Sequence, residues 1–355
     1  MNILKNEIGI RGTAFKWFES YITGRCQKVK IGETESIEIV IEFGVPQGSV
    51  LGPILFNIYI RSLYATVAKL KFAIHGYADD HQVYKSFNKI HEYSVITTDV
   101  PECLRQIQAW MYHHFLLNNA DKTEIIIFGS PAVLKELSLK GVFLENESIC
   151  VRFKPVVKNL GFRLESNLSM AAQANYLKNA CFLKLRNISR MKSFLSIDQT
   201  KLLAQAIVIS SLDYCNSLYY GCPQSVMSQL QTIQNRACRI VCGLKKKDSV
   251  DEKLVSLHWL KVVERIKFKI ILLTFKGLNG LAPIYISELF QFNQLEDSRA
   301  PTLHTPTNMM KCDRAFQVSA SILWNELPNS IRELKSINVF KSKLKTHLFR
   351  ISHNI

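Results

Sequence analysis

Two adjacent carboxylates, Asp79 and Asp80, follow Tyr77 and Ala78 between two strand-like arms, residues 70–78 and 81–87. The pattern predicts a hairpin with Asp79-Asp80 at its tip. Two like charges on one tight turn repel, which costs stability unless a cation neutralises them. Carboxylate oxygens are hard donors and suit Mg²⁺ or Mn²⁺. Held that way, paired ions serve phosphoryl transfer: one activates an attacking 3′-hydroxyl and the other steadies a leaving pyrophosphate. Taken in isolation, an Asp-Asp pair is far more often an ordinary acidic turn.

The elements that must position this pair follow from periodicity. Residues 1–24 read as one or two short helices, with Phe15, Phe18, Tyr21 and Ile22 at helical spacing. Cys26 to Ile31 and residues 35–43 read as a half-buried hairpin turning at Gly32-Glu33-Thr34. Gly44-Val45-Pro46-Gln47-Gly48-Ser49 breaks that strand and lets backbone approach a ligand closely. Ser49 is placed to cap the next helix, whose first turn suits Pro53. A helix over 97–118, a short buried strand at 125–128 and strands at 149–153 and 156–163 follow, giving an α+β pattern up to about residue 165. Beyond it the chain reads as helices at 170–192, 198–220, 223–242 and 259–277, a polar loop at 292–313 and a last helix at 336–349.

Charge divides the chain in the same place. Of 355 residues, 45 are Lys or Arg and 29 Asp or Glu, a net +16. Residues 1–165 hold 19 basic and 17 acidic side chains and the rest 26 and 12, so +14 sits in the helical half. A basic lobe points to a polyanion, nucleic acid first, although a solvated face looks the same in sequence. Lys178, Lys184, Arg186, Arg190 and Lys192 form a basic stripe on the 170–192 helix and are the candidate phosphate contacts. No apolar run approaches the 18 residues a membrane span needs, so no membrane partner is expected. Nine irregularly spaced cysteines read as reduced thiols of an intracellular protein rather than a disulfide framework. Cys238, Cys242 and His258 lack the second tight pair a zinc site wants.

The motifs come in a telling order. Gly44-Val45-Pro46-Gln47-Gly48-Ser49 precedes Leu51-Gly52-Pro53-Ile54-Leu55-Phe56, then Tyr77-Ala78-Asp79-Asp80, then Leu117-Asn118-Asn119-Ala120-Asp121-Lys122-Thr123, then Lys158-Asn159-Leu160-Gly161. This succession resembles the reverse transcriptases of non-LTR, LINE-type retrotransposons, in particular the jockey-like branch. Trp17-Phe18-Glu19-Ser20-Tyr21 ahead of it fits the same family. So do Leu212-Asp213-Tyr214-Cys215-Asn216, Leu257-His258-Trp259-Leu260, Arg314-Ala315-Phe316 and Trp324-Asn325-Glu326-Leu327-Pro328 behind it.

The resemblance implies a partial right-hand polymerase palm over 1–165, a helical thumb-like and connection region over 166–291, and a loop with a C-terminal helical tail over 292–355. It implies that Asp79 is a catalytic, metal-binding carboxylate supported by Asp80, with Mg²⁺ or Mn²⁺ as cofactor. Pro46, Gln47, Gly48, Ser49, Tyr77 and Ala78 would line the nucleotide and template site. Lys122 would lie near the triphosphate and donate a proton to pyrophosphate. Leu160 and Gly161 would grip the primer end. The implied partners are an RNA template, a DNA primer and deoxynucleoside triphosphates.

Two departures stand out. His81 occupies a position where relatives often carry Thr or Ser. The family also places another metal-binding aspartate on a strand ahead of the segment with which this sequence opens, with the fingers before it. No aspartate precedes Asp79, and the acids available there are Glu7, Glu19, Glu33, Glu35, Glu38 and Glu42. The chain is therefore expected to be truncated at its N-terminus, to expose an unpaired sheet edge and apolar surface, and to lack appreciable DNA synthesis alone. A basic nucleic-acid-binding remnant is the alternative.

Overall fold

The computed structural model describes residues 1–355 apart from 43, 46–47, 89–93, 140–143, 147–148, 152, 294–300 and 307–313. The chain forms two compact units, Met1–Pro155 and Val156–Ile355.

The first unit opens with helices α1 (Asn2–Asn6) and α2 (Gly12–Ile22). Four two-residue strands follow: β1 (Cys26–Gln27) pairs antiparallel with β4 (Ile39–Val40), and β2 (Lys30–Ile31) with β3 (Thr34–Glu35). The expected hairpin is present, but it is not half-buried: all four strands are exposed, Ile31 by 78% and Ile39 by 57%. Alternation set the strand register without supplying an element to cover the apolar face.

Helix α3 (Gly52–Lys69) takes Pro53 in its first turn, as read from the sequence. Its N-cap is Leu51 rather than Ser49; the Ser49 hydroxyl still accepts the Gly52 N–H at 3.0 Å from outside the helix. Strands β5 (Ala73–Tyr77) and β6 (Asp80–Tyr84) form the central hairpin. A π-helical turn, Val95–Asp99, leads into α4 (Val100–His113), which ends five residues before the sequence pattern does. Ile60, Leu63, Val67 and Phe72 bury against Cys103, Ile107 and Trp110. Trp110 Nε1 donates to Ser62 Oγ (3.1 Å) and Tyr59 Oη to the His114 carbonyl (2.6 Å), so two amphipathic residues satisfy their polar ends at the same seam. The buried strand read at 125–128 is absent: Ile125 makes one parallel bridge to Phe153, and Phe128 is exposed. Helix α5 (Pro131–Leu139) and the pair β7 (Leu144–Asn146) with β8 (Ile149–Val151) complete the unit.

The second unit starts with a hairpin where one strand was expected: β9 (Val156–Asn159) returns as β10 (Phe162–Glu165) through Leu160-Gly161. Helices then dominate: α6 (Ala171–Met191), α7 (Ile197–Ala204), α8 (Ser210–Asp213), α9 (Gln224–Cys242), α10 (Asp251–Ser256), α11 (Val262–Leu278), α12 (Ile284–Ser287), α13 (Phe316–Asn325), α14 (Asn329–Arg332) and α15 (Ile337–His353). A π-helical turn, Gln205–Ile209, joins α7 to α8. Ser196 opens α7 with a reciprocal capping box to Gln199.

Leu177, Cys181, Leu185 and Ile188 of α6 recur at helical spacing and share one core with Leu230, Ile233, Ala237 and Val241 of α9. Phe275 and Phe340 stack in the same core with ring centroids 4.0 Å apart. The tail motifs staple this core. Asn325 accepts the Leu303 N–H and donates to the Leu303 carbonyl, both at 2.8 Å. Arg314 donates to the carbonyls of Leu168 and Tyr220. Trp259 is buried, with His353 Nε2 3.1 Å from its carbonyl. The mixture is α+β, and every sheet among the described residues has two strands. Cys26, Cys103, Cys181, Cys215, Cys222, Cys238 and Cys242 are free thiols. Burial pushes the Cys238 thiol up to about 12, with Cys242 adding to the shift. Among the described residues no helix is long and apolar enough to cross a membrane.

Candidate nucleotidyl-transfer site

The β5–β6 register pairs Tyr77 with Asp80, so the two-residue turn is Ala78-Asp79, one residue earlier than the sequence pattern placed it. Ala78 absorbs the reversal with φ of 54°, the conformation a tight hairpin requires at its first central position. Asp79 sits at the tip and Asp80 begins the returning strand; both are exposed.

The turn is braced from below. His81 Nδ1 lies 3.0 Å from the Asp79 carbonyl, which can only accept, so Nδ1 carries the proton. His81 Nε2 is buried with no partner. The departure noted in the sequence thus fixes the backbone of the candidate catalytic residue. Tyr64 of α3 packs edge-on to the His81 ring, with centroids 6.1 Å apart. Gly76 makes that approach possible, because a Cβ there would lie 2.0 Å from Tyr64 Oη and 3.0 Å from the imidazole.

Gly76→Ala is expected to destabilise the chain by about 1–3 kcal/mol, the usual cost of overpacking. Thermal unfolding would show it. Because the severest clash is with a hydroxyl oxygen, adding Tyr64→Phe should recover part of the loss; no recovery would show that His81 or strand geometry, not Tyr64, sets the requirement.

The other candidate residues are distributed as follows. Pro46 and Gln47 lie outside the described residues. Gly48, with φ of 81°, is exposed, and Ser49 is half-buried at the start of α3. Arg25 donates to the Gly44 carbonyl and, through Nε, to Ile22 at 2.9 Å, tying the Gly-rich segment to the end of α2. Lys122 closes a 3₁₀ turn, Ala120–Lys122, whose backbone is held by the Asn119 side chain at 3.1 Å. Lys122 is exposed, and no ion pair among the described residues joins it to Asp79 or Asp80.

In the second unit, Leu160 (φ 45°) and Gly161 (φ 84°) form a two-residue turn with both central positions left-handed. Glycine adopts this freely; leucine does not. Tyr214 Oη donates to the Leu160 carbonyl and holds the strained tip. The neighbours of Tyr214 are anchored in turn. Arg265 Nη1 reaches both Asp213 oxygens at 3.0 and 2.7 Å, and the Asn216 amide donates to the Arg265 carbonyl at 3.4 Å. Sequence reading matched these residues to a family motif without seeing that Tyr214 braces the hairpin tip.

On α6, Lys178 is half-buried and Arg186 and Arg190 are exposed; Lys192, half-buried, lies just past the helix in a 3₁₀ turn, Lys192–Phe194. Lys184 turns inward, its ammonium donating to Ser211 Oγ at 3.0 Å and the Ile207 carbonyl at 3.3 Å. Two of its three donors are therefore committed within the protein.

The donor chemistry at the Asp79-Asp80 tip fits a hard divalent cation, since both groups are carboxylates open to solvent. The set is partial: among the described residues no group of three or more His, Cys, Asp or Glu gathers as a metal site.

Residues 4–164, which carry this hairpin, match the family model described as reverse transcriptase (RNA-dependent DNA polymerase). The chain is 27% identical over 231 residues to the probable RNA-directed DNA polymerase from transposon BS of Drosophila melanogaster, covering 63% of this chain and 25% of that protein. It is 24% identical over 233 residues to the RNA-directed DNA polymerase from mobile element jockey of the same organism, covering 63% and 24%. A third relative is the retrovirus-related Pol polyprotein from type-1 retrotransposable element R1 of Bradysia coprophila, 23% identical over 249 residues, covering 66% and 22%. The chain thus spans about a quarter of the length of the curated relatives it matches. Residues 4–164 thus resemble reverse transcriptases, and the chain is similar to RNA-directed DNA polymerases of non-LTR retrotransposons.

Proposed function

We propose that this chain is the palm and thumb portion of an RNA-directed DNA polymerase of a non-LTR retrotransposon, engaging an RNA template, a DNA primer and deoxynucleoside triphosphates. The observation that carries the reading is the Ala78-Asp79 turn with Asp80 at its base, inside the stretch that matches the reverse transcriptase family. Asp79 and Asp80 would hold Mg²⁺ or Mn²⁺. When bound, such ions supply activation of the primer 3′-hydroxyl and stabilisation of the departing pyrophosphate.

The chain's own residues do the positioning. His81 and the Gly76–Tyr64 contact hold the Asp79 backbone. Gly48 and Ser49, with Pro46 and Gln47, would shape the floor under the incoming base pair. Tyr77 and Ala78 would complete the nucleotide site, and Lys122 would face the triphosphate. The Leu160-Gly161 turn would meet the primer end, and the basic face of α6 would contact the phosphate backbone. With no group of three or more His, Cys, Asp or Glu gathered as a metal site among the described residues, these residues would bind the partners without sustaining synthesis.

The test is Mn²⁺ binding by electron paramagnetic resonance, with the chain mixed with an RNA–DNA template–primer and a nucleotide. Bound Mn²⁺ is expected in the wild type and its loss in Asp79→Asn/Asp80→Asn. Equal binding by both proteins would sink the assignment. Template–primer binding that survives those substitutions, with no Mn²⁺ held at the tip by the wild type, would favour the non-catalytic reading that the +14 charge of residues 166–355 supports.

A further inference from the structure

Helices α6 and α9 pack side by side, and their outer faces enclose a concavity of about 300 Å³ lined by Phe182, Leu185, Arg186, Ser189, Arg190 and Arg236. Phe182, Arg186, Ser189 and Arg190 lie along one face of α6, at offsets of four, seven and eight residues from Phe182. Arg236 comes from α9. All three arginines are exposed. Among the described residues, no hydrogen bond or ion pair occupies any of the three guanidinium groups.

Three like charges gathered at one concavity repel, and among the described residues no acidic side chain lines it. An anion would offset that repulsion. The guanidinium fork matches phosphate oxygens in a bidentate way that an ammonium does not. Phe182 and Leu185 supply an apolar wall against which a sugar or base can lie. The volume suits one nucleotide unit rather than a large ligand.

We propose that Arg186, Arg190 and Arg236 form a phosphate clamp that takes one phosphodiester of a nucleic-acid backbone, with Phe182 against the adjoining nucleoside. The clamp rests on the nucleic-acid reading of this half of the chain. It adds Arg236, which belongs to no basic stripe in the sequence, and it excludes Lys184, whose ammonium is engaged within the fold.

The test uses the full chain, a fluorescein-labelled RNA–DNA hybrid and anisotropy across a salt series. Arg190→Gln/Arg236→Gln is expected to weaken binding at least about tenfold at low salt and to flatten the salt slope by roughly 1, as the loss of one neutralised phosphate should. Lys246→Gln/Lys247→Gln removes the same charge outside the concavity and should cost much less. Arg236→Lys keeps the charge but not the fork, and should recover only part of the affinity. Equal losses in the two double variants would mean diffuse attraction and overturn the clamp, as would wild-type affinity in the arginine variant or no binding by the wild type. Loss of binding to anionic phospholipid vesicles, with hybrid binding intact, would assign the cluster to a membrane surface instead. The Mn²⁺ experiment probes Asp79 and Asp80 alone, so the polymerase reading can fail while the clamp stands.

Discussion

Primer extension by this 355-residue chain is expected to run at least about 10³-fold below that of a polymerase with a full carboxylate set. Metal ions contribute several kcal/mol to stabilising a phosphoryl-transfer transition state, and each 1.4 kcal/mol or so is a factor of ten in rate. The tip of the β5–β6 hairpin offers two carboxylates, and among the described residues no group of three or more His, Cys, Asp or Glu is arranged to hold a metal ion. The acids that precede Asp79 are all glutamates, and those at 33, 35, 38 and 42 stand in or beside an exposed hairpin. Glu35 is already engaged: Lys28 and Lys30 pair with it at 2.7 and 3.1 Å and hold its carboxyl below the usual glutamate range. Incorporation of labelled nucleotide on a template–primer with Mg²⁺ measures the rate. Background incorporation is expected, unchanged in Asp79→Ala. Robust extension that Asp79→Ala abolishes would show that the carboxylates present suffice.

Phe340→Ala is expected to lower stability by about 3–5 kcal/mol, in the range for deleting a fully buried aromatic side chain. Phe340 is 0% exposed, stacked on Phe275 and 6.0 Å from the Trp324 ring centroid. It belongs to α15, whose Leu344 and Leu348 bury in the same core. The cavity would therefore open where α11, α13 and α15 meet, and their close packing limits collapse around it. Urea denaturation followed by circular dichroism should show a midpoint lower by about 1–2 M, given a slope of roughly 2–3 kcal/mol per molar for a unit of this size. Phe340→Leu, which keeps most of the volume, should lose far less. An unshifted midpoint for the alanine variant would mean that α15 does not stabilise the unit, and the core would need redrawing.

Much of this protein was legible in its residues. The long helices were, because Leu177, Leu185 and Ile188, or Phe340, Leu344 and Leu348, repeat at a period only a helix can bring to one side. The Asp79 hairpin was legible to within one residue. Its tip slid to Ala78-Asp79 because register is settled by cross-strand pairing of Ala73 with Tyr84 through Tyr77 with Asp80, not by which turn residue is more polar. The apolar run 125–128 was misread because a short run has no period to distinguish a strand from a partly covered coil. The strand expected at 156–163 carried its own contrary signal in Gly161, where the chain reverses.

Local order alone carried the family resemblance and the identity of the candidate metal ligands, since both reside in residue type and succession. Everything that depends on two distant segments meeting was decided by tertiary packing. Gly76 matters because Tyr64 and His81 crowd it, and Leu160 holds a left-handed turn under a bond from a tyrosine 54 residues away. Lys184 spends its charge inside the fold while Arg236 joins two arginines from another helix. A side chain's type and period are local properties of the chain, whereas its partners are chosen by burying the most apolar surface at once, a sum over the whole unit that no single stretch contains.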